Sequence, residues 1–261
     1  ATLVSAAVSI SVGTAAVSLG MAITLAQNEA QGTTRATIDN ADVDAGSLAV
    51  TALGDSTISS TAVAASLSIA GGGVGLSGAG TGAVSQNLMS NFVAASIVGS
   101  DVDTTASGGV GVSATDQSDI DADVVSVSVS LAAAGGAALS VSIAVSEAKV
   151  DYSTQTLAHL DDSAVTAGLG DVRLTALSTG SIDVNTVAAA VSFAGSGGLS
   201  LTGSGTGAIA TVTSSSVTEA SIFGGSDVDA ISGSLFVDAD DETLITTNAV
   251  AVSVAFSIAG G

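Results

Sequence analysis

The chain has no proline, cysteine or tryptophan, and aromatic residues make up only 2% of its 261 positions. Without cysteine there is neither a disulfide scaffold nor a thiolate site. Without large aromatic anchors, a core has to be assembled from many small, closely packed side chains. Bases are nearly missing as well. Arg35, Lys149 and Arg173 stand against 24 acids, for a formal net charge of −21. Nucleic-acid affinity needs clustered Lys and Arg, so a phosphate-binding surface is excluded, and an anionic membrane surface is disfavoured on the same ground.

What the chain does contain is alanine, valine, serine and 32 glycines, with 47% of residues hydrophobic. Residues 56–100 carry no charge at all. A transmembrane helix needs about 20 mostly apolar residues. Here serine at alternate positions and the run Gly71-Gly72-Gly73 break the stretch into strand-like pieces. Membrane β-barrels alternate in the same way but carry aromatic girdles, which this composition does not supply. The expectation is therefore no membrane insertion. No signal peptide is visible. Val4–Val12 and Val250–Ile258 read as the same strand, so an internal segment of a longer protein is expected, uncapped at either end.

The pattern repeats about every 62 residues. Ile58, Ile120, Ile182 and Ile245 each follow an alanine by six residues (Ala52, Ala114, Ala176, Ala239) and precede a valine by five (Val63, Val125, Val187, Val250). A chain with such a period usually buries its core by stacking copies. The units run roughly 4–62, 63–124, 125–186 and 187–249, with a fifth beginning at 250–261, as one continuous array over 1–261.

Each unit has two halves. The first is a block of three short alternating pieces joined by turns: Ala36-Thr37-Ile38, Val43-Asp44-Ala45 and Leu48-Ala49-Val50-Thr51-Ala52 in its first copy. Period-two alternation marks strands with one face buried, and length differences between copies fall in the turns. The fold expected is all-β, a parallel β-solenoid. The second half is an uncharged pair of strands around a Gly-rich turn. One face is Val, Leu, Ile or Phe and the other only Ala and Ser, as in Val125-Ser126-Val127-Ser128-Val129-Ser130-Leu131. A face kept small in every copy suits close approach by another sheet. Gly78 to Ala83 and Gly203 to Ala208 add a two-unit super-repeat. Three coils of about 20 residues per unit, or one wide coil of about 62, both satisfy the period, and the short coil is slightly favoured.

The block Ala-x-Ile, turn, Val-x-Ala-Gly, Leu/Val-x-Val-x-Ala, clearest over Ala36–Ala52, resembles the repeats of giant secreted bacterial surface proteins. These are the leukotoxin-like filamentous adhesins and relatives of filamentous haemagglutinin. The resemblance covers essentially the whole chain through low-complexity motifs. It implies a rod or filament module displayed outside the cell, with no catalytic residues to carry over. The sequence departs from that pattern in its scarcity of Lys and Arg and in lacking Asn ladders.

Acidic turns are the best candidate site. Asp42/Asp44, Asp101/Asp103 and Asp227/Asp229 recur at one place in three units, with Asp161/Asp162 nearby in the other. Alternate Asp side chains on a turn can offer oxygens to Ca²⁺, and solvated turn residues are the plainer reading. Calcium is the one cofactor this pattern admits, and none is required for the expected fold. A second acidic run, Asp116, Asp119, Asp121 and Asp123, reads either as a cation site or as a guard on a strand edge. An enzyme is not expected. His159 is the only histidine, no nucleophile elbow surrounds a serine, and the three bases are scattered. The function expected is a structural repeat segment of an extracellular filament, rod or adhesin stalk at the cell surface. Its partners would be its own copies or neighbouring repeats. The competing reading is a calcium-dependent adhesive or carbohydrate-binding module.

Overall fold

The computed structural model describes residues 1–105 and 108–260. Residues 106, 107 and 261, within the expected second and fifth units, lie outside the described residues.

The described chain is all-β, twelve strands with every pairing parallel: β1 (Thr2–Asp39), β2 (Asp42–Ala45), β3 (Leu48–Val98), β4 (Asp101–Thr104), β5 (Val110–Asp161), β6 (Ala164–Ala167), β7 (Val172–Ser178), β8 (Ser181–Ser196), β9 (Leu199–Phe223), β10 (Asp227–Ala230), β11 (Leu235–Asp241) and β12 (Leu244–Ala259). Parallel neighbours need a long connection between them, and here that connection is a whole turn of the coil. β1 pairs with β3, and β3 with β5. Then β7, β8 and β9 together cover β5 along its length, while β11 and β12 continue on β7 and β8. The short strands stack separately as β2, β4, β6 and β10.

The register settles the coil size. Thr2 pairs with Thr61, a step of 59 residues; Leu48 pairs with Val110, a step of 62; Val74 pairs with Ala137, a step of 63. One unit is therefore one rung, and the favoured 20-residue coil is wrong. The isoleucines of the repeat mark this register directly, since Ile58, Ile120, Ile182 and Ile245 are ladder partners. The solenoid is wide and short. It is four rungs deep on one wall and five on the other, roughly 19–24 Å at a strand spacing of ~4.8 Å.

Each rung has two parts. At one end, the close of one long strand, a short strand and the start of the next long strand enclose a three-sided core. In the second rung these are Val93, Ala95 and Ile97, then Val102, then Val110 and Val112. The repeated block thus folds as the alternation predicts, with large aliphatics inward. The turn entering each short strand needs a left-handed residue, supplied by Asn40, Gly99, Asp162 and Gly224 in successive rungs, all with φ between 46° and 66°. Asn, Asp and Gly are the residues that tolerate it. Ser100, Ser163 and Ser226 lock this turn. Each hydroxyl donates to a carbonyl of its own turn and accepts the backbone N–H of the rung before.

The rest of the rung is a two-walled slab. β3 and β5 would each span about 170 Å if straight, but they fold back on themselves at the glycine turns. Ser68 meets Ser77, only nine residues on, and Ser60 meets Ser85, 25 residues on. The fold is centred on Gly72 and Gly73. A Cβ on Gly72 would overlap the carbonyl oxygen of Gly13 on the neighbouring rung, so only glycine fits there.

Candidate functional site

The slab is inverted relative to an ordinary sheet sandwich. Its inward positions are Ala and Ser: Ala62, Ala64, Ser66, Ser68 and Ala70 on one wall, Ser77, Ala79 and Ala83 on the other, all buried. Its outward positions are the aliphatic ones. The wall spacing dictates this arrangement. Ser77 Oγ lies 2.9 Å from the backbone oxygen of Ser68 across the gap, and Ser142 Oγ 2.8 Å from that of Ser128, so each hydroxyl hydrogen is shared between the opposite backbone oxygen and the opposite serine Oγ. A side chain that reaches the opposite backbone with a single hydroxyl leaves far less room than the ~10 Å between ordinary stacked sheets. Near the glycine turns only Ala, Gly, Ser and Thr line the gap; toward the block it widens and takes Ile58, Met89, Ile120 and Tyr152.

The hydroxyls join into a chain running along the solenoid axis. Ser192 donates to Ser140 (2.8 Å), Ser140 to Ser130 (2.9 Å), Ser130 to Ser77 (2.9 Å) and Ser77 to Ser68 (3.0 Å). Ser68 then donates to Ser18 (2.9 Å), and Ser18 to Ser9 (2.9 Å). Seven serines, alternating between walls, thus satisfy one another in a dry interior where an unpaired hydroxyl is costly. Linked hydroxyls polarise each other, so the chain strengthens as it lengthens. Ser257 lies one pleat beyond this column. Its ladder partner is Ala194, while Ser192 pairs with Ala255.

The candidate calcium ligands do not converge. Asp42 is the ladder partner of Asp101, and Asp44 of Asp103, on exposed faces of β2 and β4. The next rung interposes Ala164 and Thr166 before Asp227 and Asp229. Like carboxylates therefore meet only in pairs. Among the described residues no group of three or more His, Cys, Asp or Glu is placed to hold a metal ion. The valines between the aspartates point into the three-sided core. Asp162 sits in the left-handed turn rather than among the carboxylates.

The second acidic run divides between two environments, because neighbouring strand positions face opposite ways. Asp119, Asp121 and Asp123 point outward from β5, where Ser181 and Asn185 of the next rung donate to Asp119 and Asp123. β5 is paired on both sides along this stretch, so these residues guard no edge. Burial and the facing Asp123 and Asp183 raise the Asp121 carboxyl above its usual range.

Asp116 points inward and is completely buried, between the three-sided core and the slab. Its Oδ1 accepts from Ser118, which accepts from Asn91 Nδ2. Its Oδ2 has no partner, and neither do Asn91 Oδ1, Tyr152 Oη and Ser178 Oγ. Gly54 makes room for it, since a Cβ there would fall 3.0 Å from Asp116 Oδ1 and 2.5 Å from Val93. Loss of hydration pushes the Asp116 carboxyl up, only partly offset by Ser118 and Asn91. No base reaches it. Arg35 lies over Phe92, Lys149 pairs with Asp151, and Arg173 pairs with Asp171 and covers Phe236, all on the outer surface. His159 stacks on Phe223.

The outer walls of the slab carry exposed apolar columns. On one, the column Ile10, Ile69, Leu131, Phe193, Phe256 and the column Val8, Leu67, Val129, Val191, Val254 run across five rungs. On the other, bulky and bare rungs alternate. Leu19, Gly78, Val141 and Gly203 form one column, Met21, Gly80, Ile143 and Gly205 the next, and Ile23, Gly82, Val145 and Gly207 the third. Met21 is 72% exposed and Ile143, on an interior rung, 52%. The first glycine furrow is an open cavity of about 600 Å³. The two-unit super-repeat in the sequence is thus a corrugation with a period of two rungs.

Compared with protein-family models, with curated proteins and with solved structures, the chain matches none. The fold itself defines a class: a wide parallel β-solenoid, one rung per repeat. No helix of the described residues is long and apolar enough to cross a membrane.

Proposed function

We propose that the chain is a structural repeat segment of an extracellular rod, filament or adhesin stalk. The seven-serine chain carries this reading. It links four successive rungs through their interior and gains by repetition, as a load-carrying or length-setting element would. Display outside the cell is supported by the resemblance of the repeated block and by a cysteine-free, strongly acidic composition that keeps an apolar polymer dispersed.

Ser130→Lys tests the reading, followed by circular dichroism and thermal unfolding. A buried, unpaired ammonium between walls this close should cost several kcal/mol and unfold the slab. Unchanged melting would show that the walls do not pack as a dry, load-carrying interior.

The stacked pairs Asp42/Asp101 and Asp44/Asp103 favour one further reading, a calcium-dependent adhesive or carbohydrate-binding face. A divalent ion would relieve the repulsion of each pair, and preferential binding to the folded state would raise its stability. Calcium titration followed by chelator should then move the melting temperature in wild type and not in Asp101→Asn/Asp103→Asn. An identical response in the two proteins, or no response in either, would rule it out.

A further inference from the structure

We infer that the corrugated outer wall is a self-recognition surface, which mates with the same wall of a second copy of this chain. Shape is the first argument. Bulky and glycine rungs alternate in the order ridge, furrow, ridge, furrow, carried by β1, β3, β5 and β9. Two such faces can be opposed by a two-fold axis lying in the interface parallel to the strands. That operation reverses rung order and preserves position along the strand. The β1 ridge of one copy then faces the β9 furrow of the other, and the β3 furrow faces the β5 ridge, with no axial slip. Met21 meets Gly205 of the second copy, and Ile143 meets Gly80. The contact is isologous, the commonest kind in homo-oligomers.

Filling is the second argument. The flanking column Val17, Leu76, Leu139 and Leu201 is bulky on every rung, so it holds the two faces at about the ~10 Å of stacked sheets. Between the glycine columns that gap is then filled from one side only, by a side chain long enough to reach the opposing backbone.

Area and charge complete the case. From Ala15 to Ile23 the wall is nine residues long and four rungs high. That is roughly 30 by 19 Å, or about 570 Å² per copy. The total, about 1,100 Å², clears the ~1,000 Å² expected of a specific interface. Glu147, in the next outward column with Leu25 and Val84, stands at its rim. No charged residue stands at 15–23, 74–82, 137–145 or 199–207 in a chain of net charge −21, so the repulsion between copies lies away from the contact. An exposed apolar patch of this size is unusual on a monomer.

This inference rests on the structural-segment reading and states how such segments associate sideways. The test is sedimentation equilibrium of the intact chain and of Gly205→Leu. Open space surrounds the ideal Cβ of Gly205, so the variant should keep wild-type circular dichroism and melting while its furrow is filled. Dimerisation should weaken by about tenfold or more, in line with loss of a central packing contact. Met21→Ala in the same chain should restore it, because these two residues face each other across the two-fold. Rescue by Ile143→Ala instead would overturn the proposed arrangement. A wild-type chain that stays monomeric would overturn the mating itself, while Ser130→Lys would still report separately on the structural-segment reading. Flotation of wild type and Gly205→Leu alike with neutral phospholipid vesicles, without dimers, would assign the wall to lipid and also overturn it.

Discussion

The two halves of each rung use the same strands, the same parallel register and nearly the same residue types, yet they bury opposite faces. In the three-sided block, Ile97, Val102 and Leu174 point in and are fully buried, while aspartates point out. In the slab beyond Ile58 and Met89, which still pack inward, Ala and Ser point in and most Val, Leu and Ile point out. The difference lies in the distance across the core. Three short strands set at angles leave a space that branched aliphatics fill. Two long walls folded flat on each other leave a gap that a single serine hydroxyl spans. Hydrophobicity alone does not choose the inner face; the volume available does, and it leaves the slab with apolar surface to satisfy elsewhere.

The sharpest way to break this comparison is to truncate the same kind of side chain in each half. Leu174→Ala empties a packed site in the block and should cost about 2–5 kcal/mol. Ile143→Ala removes an outward side chain from the slab and should change stability by under about 0.5 kcal/mol, though it should weaken association between copies. Urea unfolding of both variants at low protein concentration reads the difference directly. Equal losses would mean that the outer wall is a core within one chain and that the inversion is wrong.

The block was legible because its period-two alternation, tolerant turns and Ala-x-Ile signature follow from local rules, and its valines and isoleucines went where those rules send them. The small uncharged face of the slab was legible as a surface built for close approach. What covers it was not, because the partner lies nine to 25 residues along the same strand, beyond the Gly72 fold. The coil size was missed for a related reason. Continuous alternation from Leu48 to Val98 does not mark where a strand bends without ending. The left-handed turns at Asn40, Gly99, Asp162 and Gly224 were the available signal, one per unit instead of three. The expected absence of Asn ladders is corrected on two rungs, where Asn28 bonds Asn87 beside Gln27 and Gln86; these partners are 59 residues apart instead of 62. Among the candidate ligands, spacing put the aspartate pairs at one place in the rung, but that place is the short strands β2, β4 and β10 and not a turn. It could not show that Ala164 and Thr166 interrupt the stack.

A finer test concerns Asp116, the one carboxylate buried at the border between the halves. Its folded-state titration lies above the ordinary value of 3.8, because burial disfavours the charge. Below that ordinary value the carboxyl is protonated in both folded and unfolded chains, and its contribution to stability is fully present. As the pH rises through the raised folded value, the unfolded chain ionises freely while the folded chain resists, and stability is lost. Asp116→Asn removes this dependence while keeping the shape and an acceptor for Ser118. The variant should therefore melt close to wild type in acid and above it at neutral pH. The gap should open in the mildly acidic range, with each kcal/mol regained worth about 2–4 °C in a chain of this size. Asp171 supplies the opposite sign for comparison. The Ser234 N–H and Arg173 lower its titration, so its contribution is present at neutral pH and fades in acid. If Asp116→Asn lowers the melting temperature at neutral pH, the carboxylate is a satisfied member of the junction, and the border between block and slab is held by charge instead of merely tolerating it.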